Sequence, residues 1–259
     1  MNIPEGVKII RSYAFWGCEN LYEIHLPSTL TCIESQAFSY SGLTSVKIPN
    51  GIKVLNGFRA CGSLKEIVIP PSVVEIRELG DNNFTSFLIP HTVQIIGISA
   101  FMGCSQLTHI TIPNGVTEID NQAFEGCRML ESIIIPASVR RIGSCAFEEC
   151  SSLREICIPD SVKSIGRRAF VNCASLKKAI LPKDLSSVDM FLFSGCKQLE
   201  EIILPHCPFT EYRNSFEGTP WAGNRQKAWR RKKLCDICGG SFKGVLEKRC
   251  IKCGQKKQY

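Results

Sequence analysis

Residues 130–150 read LESIIIPASVRRIGSCAFEEC, and nearly every apolar slot in that stretch returns along the chain. The slots are Leu130, Ile133, Ile135, Val139, Ile142, Ala146, Phe147 and Cys150. A proline preceded by Ile or Leu marks each return: Pro4, Pro27, Pro49, Pro70, Pro90, Pro113, Pro136, Pro159, Pro182 and Pro205, with the last five intervals all 23 residues. Self-similarity at this period is the mark of a solenoid, whose units are too small to bury an apolar face alone and must stack on their neighbours.

Within the unit, Leu130-x-x-Ile133-x-Ile135 has the period-two alternation and β-branched content of a short strand. Pro136 removes a ladder donor and ends that strand. Val139 and Ile142 turn the chain inward along the opposite wall. Ala146-Phe147 closes the coil, the small Ala letting the ring lie under the next rung. Stacking pairs the first strands in parallel, about 4.8 Å apart, and predicts one continuous sheet of them. The Phe slot reads Phe15, Phe38, Phe58, Phe101, Phe124, Phe147, Phe170, Phe193 and Phe216. Only the unit from Pro70, the shortest, departs, with Leu79 in that slot; a bend or bulge is expected at Glu78–Asn83. Asn83-Phe84-Thr85 matches the glycosylation pattern but is discounted, because Phe84 fills the Leu core slot and no leader is seen.

These units resemble the BspA-like class of leucine-rich repeats, whose pattern is Leu-x-x-Ile-x-Ile-Pro followed by Ile-Gly-x-x-Ala-Phe-x-x-Cys. Here the pattern appears as Leu107 to Ile112-Pro113, and as Ile142-Gly143 to Ala146-Phe147 and Cys150. The resemblance covers about residues 1–221. It implies an adhesive or scaffolding role, since members are often bacterial or protozoan surface proteins thought to bind host proteins. This chain departs from them in showing no export leader and in carrying a basic, cysteine-rich tail.

The chain has 259 residues, 44% of them apolar, ample for a core. No run approaches the roughly 18 apolar residues of a membrane helix. Met1 leads almost directly into a repeat at Ile3-Pro4, without a charged and apolar leader. The expected location is the cytoplasm; the alternative is the cell surface or secretion, if the chain is a fragment or leaves without a leader. The net charge of +7 hides a division. Residues 222–259 hold twelve Lys/Arg and two Asp/Glu, a net of +10, leaving nineteen basic and twenty-two acidic residues, a net of −3, in residues 1–221. Opposite balances predict parts with different tasks: a solenoid over 1–221, a basic linker over 222–234 and a metal module over 235–259.

Of fifteen cysteines, seven recur three residues before the strand Leu: Cys18, Cys61, Cys104, Cys127, Cys150, Cys173 and Cys196, with Tyr40 and Asp81 replacing Cys in two units. The odd total and the metal-like tail favour reduced thiols in a reducing compartment. The column is expected to pack as small apolar residues whose thiols donate to the neighbouring coil's backbone, in preference to forming a redox or metal wire.

One position of each strand faces outward between two core residues: His25, Lys47, Val68, Leu88, Thr111, Ile134, Cys157, Ile180 and Ile203. The last four are apolar, beside a polar column of Glu131-Ser132, Arg154-Glu155, Lys177-Lys178 and Glu200-Glu201. An apolar stripe rimmed by charge suits a protein partner, so Ile134, Cys157, Ile180 and Ile203 form the candidate partner-binding set. Set against this, β-branched residues suit any pleated surface, and the tail could cover them. A basic group, Arg140, Arg141, Lys163, Arg167 and Arg168, reads as a solvated face.

After Phe216 the pattern stops, and Trp221 is placed to cap the last coil. Arg225, Lys227, Trp229, Arg230, Arg231, Lys232 and Lys233 form a basic run that would attract nucleic acid or another anionic surface. Cys235-x-x-Cys238-Gly239 and Cys250-x-x-Cys253-Gly254 follow, eleven residues apart. Two such pairs are a metal signal: four thiolates suit a tetrahedral structural zinc, and so short a segment draws most of its folding free energy from the metal. The module resembles a zinc ribbon, with Phe242, Val245 and Leu246 as its small core; a rubredoxin-like iron site and a redox dithiol are the alternatives.

No phosphate loop, Gly-x-Gly-x-x-Gly or His-Glu-x-x-His motif appears, and the four histidines fall on different coils. The expected function is a non-enzymatic interaction scaffold or adhesin-like module with a protein partner and no small-molecule substrate. The alternative is a nucleic-acid-associated protein acting through its tail.

Overall fold

The structure, a computed structural model, describes residues 1–183, 185, 187–188, 191–203, 216 and 218–223, with two short strands at 242–243 and 249–250. The repeats wind into a solenoid with two walls of very short parallel strands, numbered here in chain order. The first wall, built from the Leu-x-x-Ile-x-Ile segments, carries β3 (Ser45–Lys47), β5 (Glu66–Val68), β7 (Ser86–Leu88), β9 (His109–Thr111), β12 (Glu155–Cys157), β14 (Lys178–Ile180) and β16 (Glu201–Ile203). The second, at the Ile-Gly step, carries β1 (Ile9–Ile10), β2 (Cys32–Ile33), β4 (Val54–Leu55), β6 (Glu75–Ile76), β8 (Ile95–Ile96), β10 (Glu118–Ile119), β11 (Arg141–Ile142), β13 (Ser164–Ile165) and β15 (Ser187–Val188).

The continuous sheet is not the one expected. The second wall forms an unbroken seven-stranded ladder from β4 to β15, whereas the first is divided into β3–β5, β7–β9 and β12–β14–β16. Proline explains part of the difference: each first-wall strand runs into Pro within two residues, where no donor is available. On the second wall the residue after each Ile keeps its N–H and gives it to the previous coil, as in Gly143 to Ile119 at 2.7 Å and Gly166 to Ile142 at 2.8 Å. Gly143 also permits the close approach, since a Cβ there would lie 2.4 Å from the Asn121 nitrogen.

Between the walls lies one apolar core, with the Phe slot as its spine. Phe38, Phe58, Phe101, Phe124, Phe147, Phe170 and Phe193 are fully buried. The rings stack in two runs, Phe15–Phe38–Phe58 and Phe101 through Phe216, with centroids 4.9–5.7 Å apart. Leu79 fills the slot between the runs, fully buried, and Phe87 meets Phe101 edge-on at 5.0 Å. At the C-terminal end Trp221 caps the stack as expected: its ring sits 5.0 Å from Phe216 and its backbone N–H donates to the Leu199 carbonyl at 2.9 Å.

The short units have a simple origin. From Leu55 to Phe58 and from Ile76 to Leu79 the chain takes three steps where regular coils take five, as from Ile119 to Phe124. The expected irregularity is therefore located in the turn, while the second-wall ladder passes from β4 through β6 to β8 without interruption. Glu78 reaches past the shortened coil before its own, accepting from the Ser35 hydroxyl at 2.8 Å and the Gln36 N–H at 3.1 Å.

Candidate protein-binding face

In β12, β14 and β16 the middle residue is buried and its neighbours point outward. The parallel register sets Cys157 beside Ile180 and Ile180 beside Ile203, one apolar side chain per coil. Cys157 and Ile203 are exposed and Ile180 is partly covered. Ile134, one coil earlier, is not in a strand, yet it is 83% exposed, high for an isoleucine. Toward the N-terminal half the same column holds Val68 and Leu88, the latter 84% exposed, before Thr111 interrupts it. Val68 and Leu88 thus belong to the same outward column but lie outside the candidate set of four.

Charges run beside the stripe. The same register sets Glu155, Lys178 and Glu201 in one row. Lys178 pairs with Glu201 at 3.1 Å, and Arg154 with Glu131 at 3.1 Å. On the other flank the Lys183 N–H and ammonium both bond the Asp160 carboxylate, holding it below the usual carboxylate range. These pairs lie at the surface and are worth little each; their effect is to line the stripe with fixed, alternating charge.

The thiol column is structural, and its membership differs from the sequence reading. Cys61, Cys104, Cys127, Cys150, Cys173 and Cys196 each donate to the carbonyl in the Phe slot of the coil before, at 3.1–3.4 Å. In the two exceptional units Tyr40 and Asp81 do not replace them. The residue two after the Phe slot is left-handed in every coil, including Tyr40 (φ 60°), Asp81 (φ 56°), Gly103 and Gly126 (both φ 72°). The inward place is the next one, so Ser41 and Asn82 occupy the column. Asn82 donates to the Phe58 carbonyl at 2.9 Å, as a thiol would, and to Leu79 at 2.7 Å. Counting back from the next Leu missed this, because the loops after Ser41 and Asn82 are each one residue shorter.

Burial pushes the Cys104 thiol up to about 12 and raises Cys61, Cys127, Cys150 and Cys173 as well. Neutral, enclosed thiols are poor nucleophiles and poor metal ligands. The basic group is largely engaged. Arg141 pairs with Glu118 and, at 3.1 Å, Asp120; Arg168 pairs with Glu148; and Arg167 lies over the Phe191 ring.

A groove of about 430 Å³ lies on the second wall between β2 and β4, lined by Cys32, Glu34, Ser35, Lys53 and Asn56 among others. It opens where β2 and β4 fail to pair, in front of the first shortened turn. Among the described residues no group of three or more His, Cys, Asp or Glu could hold a metal, and no helix is long and apolar enough to cross a membrane. Cys235, Cys238 and Cys253 lie outside the described residues, as do Arg225, Lys227, Trp229, Arg230, Arg231, Lys232 and Lys233. Of Cys250 only the backbone is described: β18 (Arg249–Cys250) pairs antiparallel with β17 (Phe242–Lys243), setting Cys250 opposite Phe242.

A family model described as "BspA type Leucine rich repeat region" matches in six copies, over residues 1–80, 79–200 and 118–221. Among solved structures, a leucine-rich repeat protein from Bacteroides ovatus is 25% identical, covering 78% of this chain and 71% of its own, with a TM-score of 0.47. The pneumococcal vaccine antigen PcpA is 19% identical over 79% of this chain and 65% of its own, at 0.55. A leucine-rich repeat protein from Eubacterium ventriosum is 19% identical over 84% and 82%, at 0.53. The last two show the shared fold. No curated protein matches the chain.

Proposed function

The chain belongs to the BspA-type leucine-rich repeat family, and on that premise we propose that it is a non-enzymatic interaction scaffold that seats a protein partner on the outward face of its first wall, along Ile134, Cys157, Ile180 and Ile203. Leucine-rich repeat proteins are generally protein-interaction or surface-adhesin modules. The observation that carries the proposal is the register of Cys157, Ile180 and Ile203, an apolar row with alternating charges at its side. Covering such a row gains about 25 cal/mol per Å² of apolar surface, while the charged rim selects the partner. Changing Ile134, Ile180 and Ile203 together to Glu is expected to reduce partner capture by at least tenfold and to leave the thermal midpoint within a few degrees. Capture that survives the triple change assigns the partner to another face.

The tail supports a second activity. Cys235, Cys238, Cys250 and Cys253 would hold one structural zinc ion in a ribbon-like module over residues 235–259, following the solenoid of 1–221 and a basic linker of 222–234. The donor set favours this reading, because four thiolates suit tetrahedral zinc. The antiparallel pairing of β17 with β18 also favours it, since it joins backbone lying between the two cysteine pairs to Cys250 itself. When bound, the metal supplies folding free energy to a segment with little core. Elemental analysis of the full chain should find one zinc, lost in Cys235→Ser/Cys238→Ser; a metal-free wild type overturns the assignment. The linker, Arg225 to Lys233, would then draw anionic polymers by charge. In that case full-length protein binds a nucleic acid with affinity falling steeply in salt, and a flat salt response excludes it.

A further inference from the structure

We infer that the partner segment on this face is an amphipathic α-helix lying along the solenoid axis, with its N-terminus toward the coil of β14 and its C-terminus toward the coil of β16. The inference rests on the reading of the first wall as a protein-binding face and adds the shape and direction of what binds there.

Spacing argues for a helix. The apolar row offers one side chain per coil, and parallel strands stand about 4.8 Å apart, so Ile134 to Ile203 spans three steps, about 14 Å. A helix presents apolar residues at i, i+4, i+7 and i+11, about 16.5 Å over three steps. An extended segment along the same line presents one every second residue, about 20 Å over three steps. A polyproline helix repeats every ~9.3 Å. The helical row drifts by about 2 Å across four coils, within the reach of side-chain rotamers. The extended row drifts by about 5 Å, a full coil.

Lateral spacing agrees. Lys178 and Ile180 lie two residues apart on one face of β14, as do Glu201 and Ile203 on β16. That separation of about 6.6 Å matches the 5–6 Å radius of a helix with its side chains, so residues flanking the apolar row would meet the charges.

Charge sets the direction. The coil of β14 contributes Lys177 and Lys178, and the coil of β16 contributes Glu200 and Glu201. The complement is an acidic residue over the first and a basic residue one turn later over the second. Glu followed by Lys at i, i+4 is also the order that stabilises a helix and suits its dipole. In the Lys178–Glu201 pair Glu201 is exposed and Lys178 half-buried with its ammonium in the surface ion pair, so exchanging it for partner charges costs little.

The test uses the full chain and three fluorescent peptides of identical composition. The first is helical, with leucines at i, i+4, i+7 and i+11 and Glu before Lys on the flank. The second has Glu and Lys exchanged, and the third has D-residues at two central positions that prevent a helix. Anisotropy titration should rank the first at least tenfold tighter than the third and about threefold tighter than the second. Ile180→Glu, on the solvent side of its strand, should weaken the first at least tenfold with an unchanged circular dichroism melt. Equal or tighter binding of the non-helical peptide overturns the helix; if Ile180→Glu still removes that binding, the face itself stands. Indifference to Glu–Lys order overturns the direction. Failure of all three peptides overturns the helix, while the triple-Glu capture experiment separately decides the face.

Discussion

The coils from Pro90 to Ile203 and those from Pro27 to Pro90 use one core and differ in how they close their turns. In the regular block the turn has five steps before Phe, a thiol three residues after it and Phe on Phe through the stack. In the short block two turns lose two residues each, Leu79 replaces a ring, and Ser41 and Asn82 stand in the thiol column. The short block is laced by polar side chains: Asn82 on the Phe58 carbonyl, Asn83 on the Gly62 carbonyl at 2.9 Å, Arg59 on Asp81 at 2.8 Å and Glu78 on Ser35. The shortened coils are thus tied to their neighbours partly by amides on carbonyls, from Asn82 and Asn83, and partly by side-chain pairs, Arg59–Asp81 and Glu78–Ser35.

Thiol reactivity should separate column from surface in both blocks by the widest margin. At pH 8 a thiol with its pKa at about 12 is ionised to about one part in 10⁴. Alkylation followed by peptide mapping should therefore modify the exposed Cys32 and Cys157 at least a thousandfold faster than Cys104, Cys127 or Cys150. A Cys61 that reacts like Cys157 would mean the short block is open. The same groups set an alkaline limit. A thiol raised from about 8.5 unfolded to about 12 folded is neutral in both states below pH 8.5, so its contribution is intact there. It is lost progressively as pH climbs toward 12, because the unfolded chain releases the proton first.

Core truncation comes next in size. Phe147→Ala, which breaks a stack on both sides, is expected to cost about 3–5 kcal/mol in denaturant titration, and Leu79→Ala about 2–4 kcal/mol. Equal losses would mean that the break in the ring stack carries no penalty.

At the column itself, Asn82→Ala should cost about 1–3 kcal/mol by removing the donor to the buried Phe58 carbonyl, since the Leu79 carbonyl keeps the Cys104 thiol. Asn82→Cys should recover most of that, since it restores the regular donor and removes the buried, unpaired Asn82 Oδ1. A cysteine no better than alanine would show that the short turn needs the longer amide.

The smallest effect is expected at the left-handed position two after the slot. Ala60→Gly should be neutral or stabilising by up to about 1 kcal/mol, as relief of the Cβ is set against lost chain stiffness. Gly103→Ala should destabilise, because its new Cβ would lie 1.9 Å from Asp81 Oδ1. Indistinguishable melts for these two variants would dissolve the contrast between the blocks at this position.

Much of this was legible in the residues. The Ile/Leu-Pro beat, the Phe slot and the cap at Trp221 each follow from a periodic apolar pattern that only stacking can bury. The outward stripe was legible for the same reason, since alternation separates inward from outward. Less legible were positions whose place depends on loop length: Tyr40 and Asp81 occupy the expected thiol register by counting, and Ser41 and Asn82 occupy it in space.

By itself the sequence determined that the chain coils, how often, and which side chains each turn hides, because hydrophobic burial at a fixed period has one economical solution. Only the tertiary structure decided which wall carries the unbroken ladder, which polar side chains bridge the shortened coils, and that Cys157, Ile180 and Ile203 stand in register. Those depend on hydrogen-bond partners more than twenty residues away, which meet only once the coils are stacked.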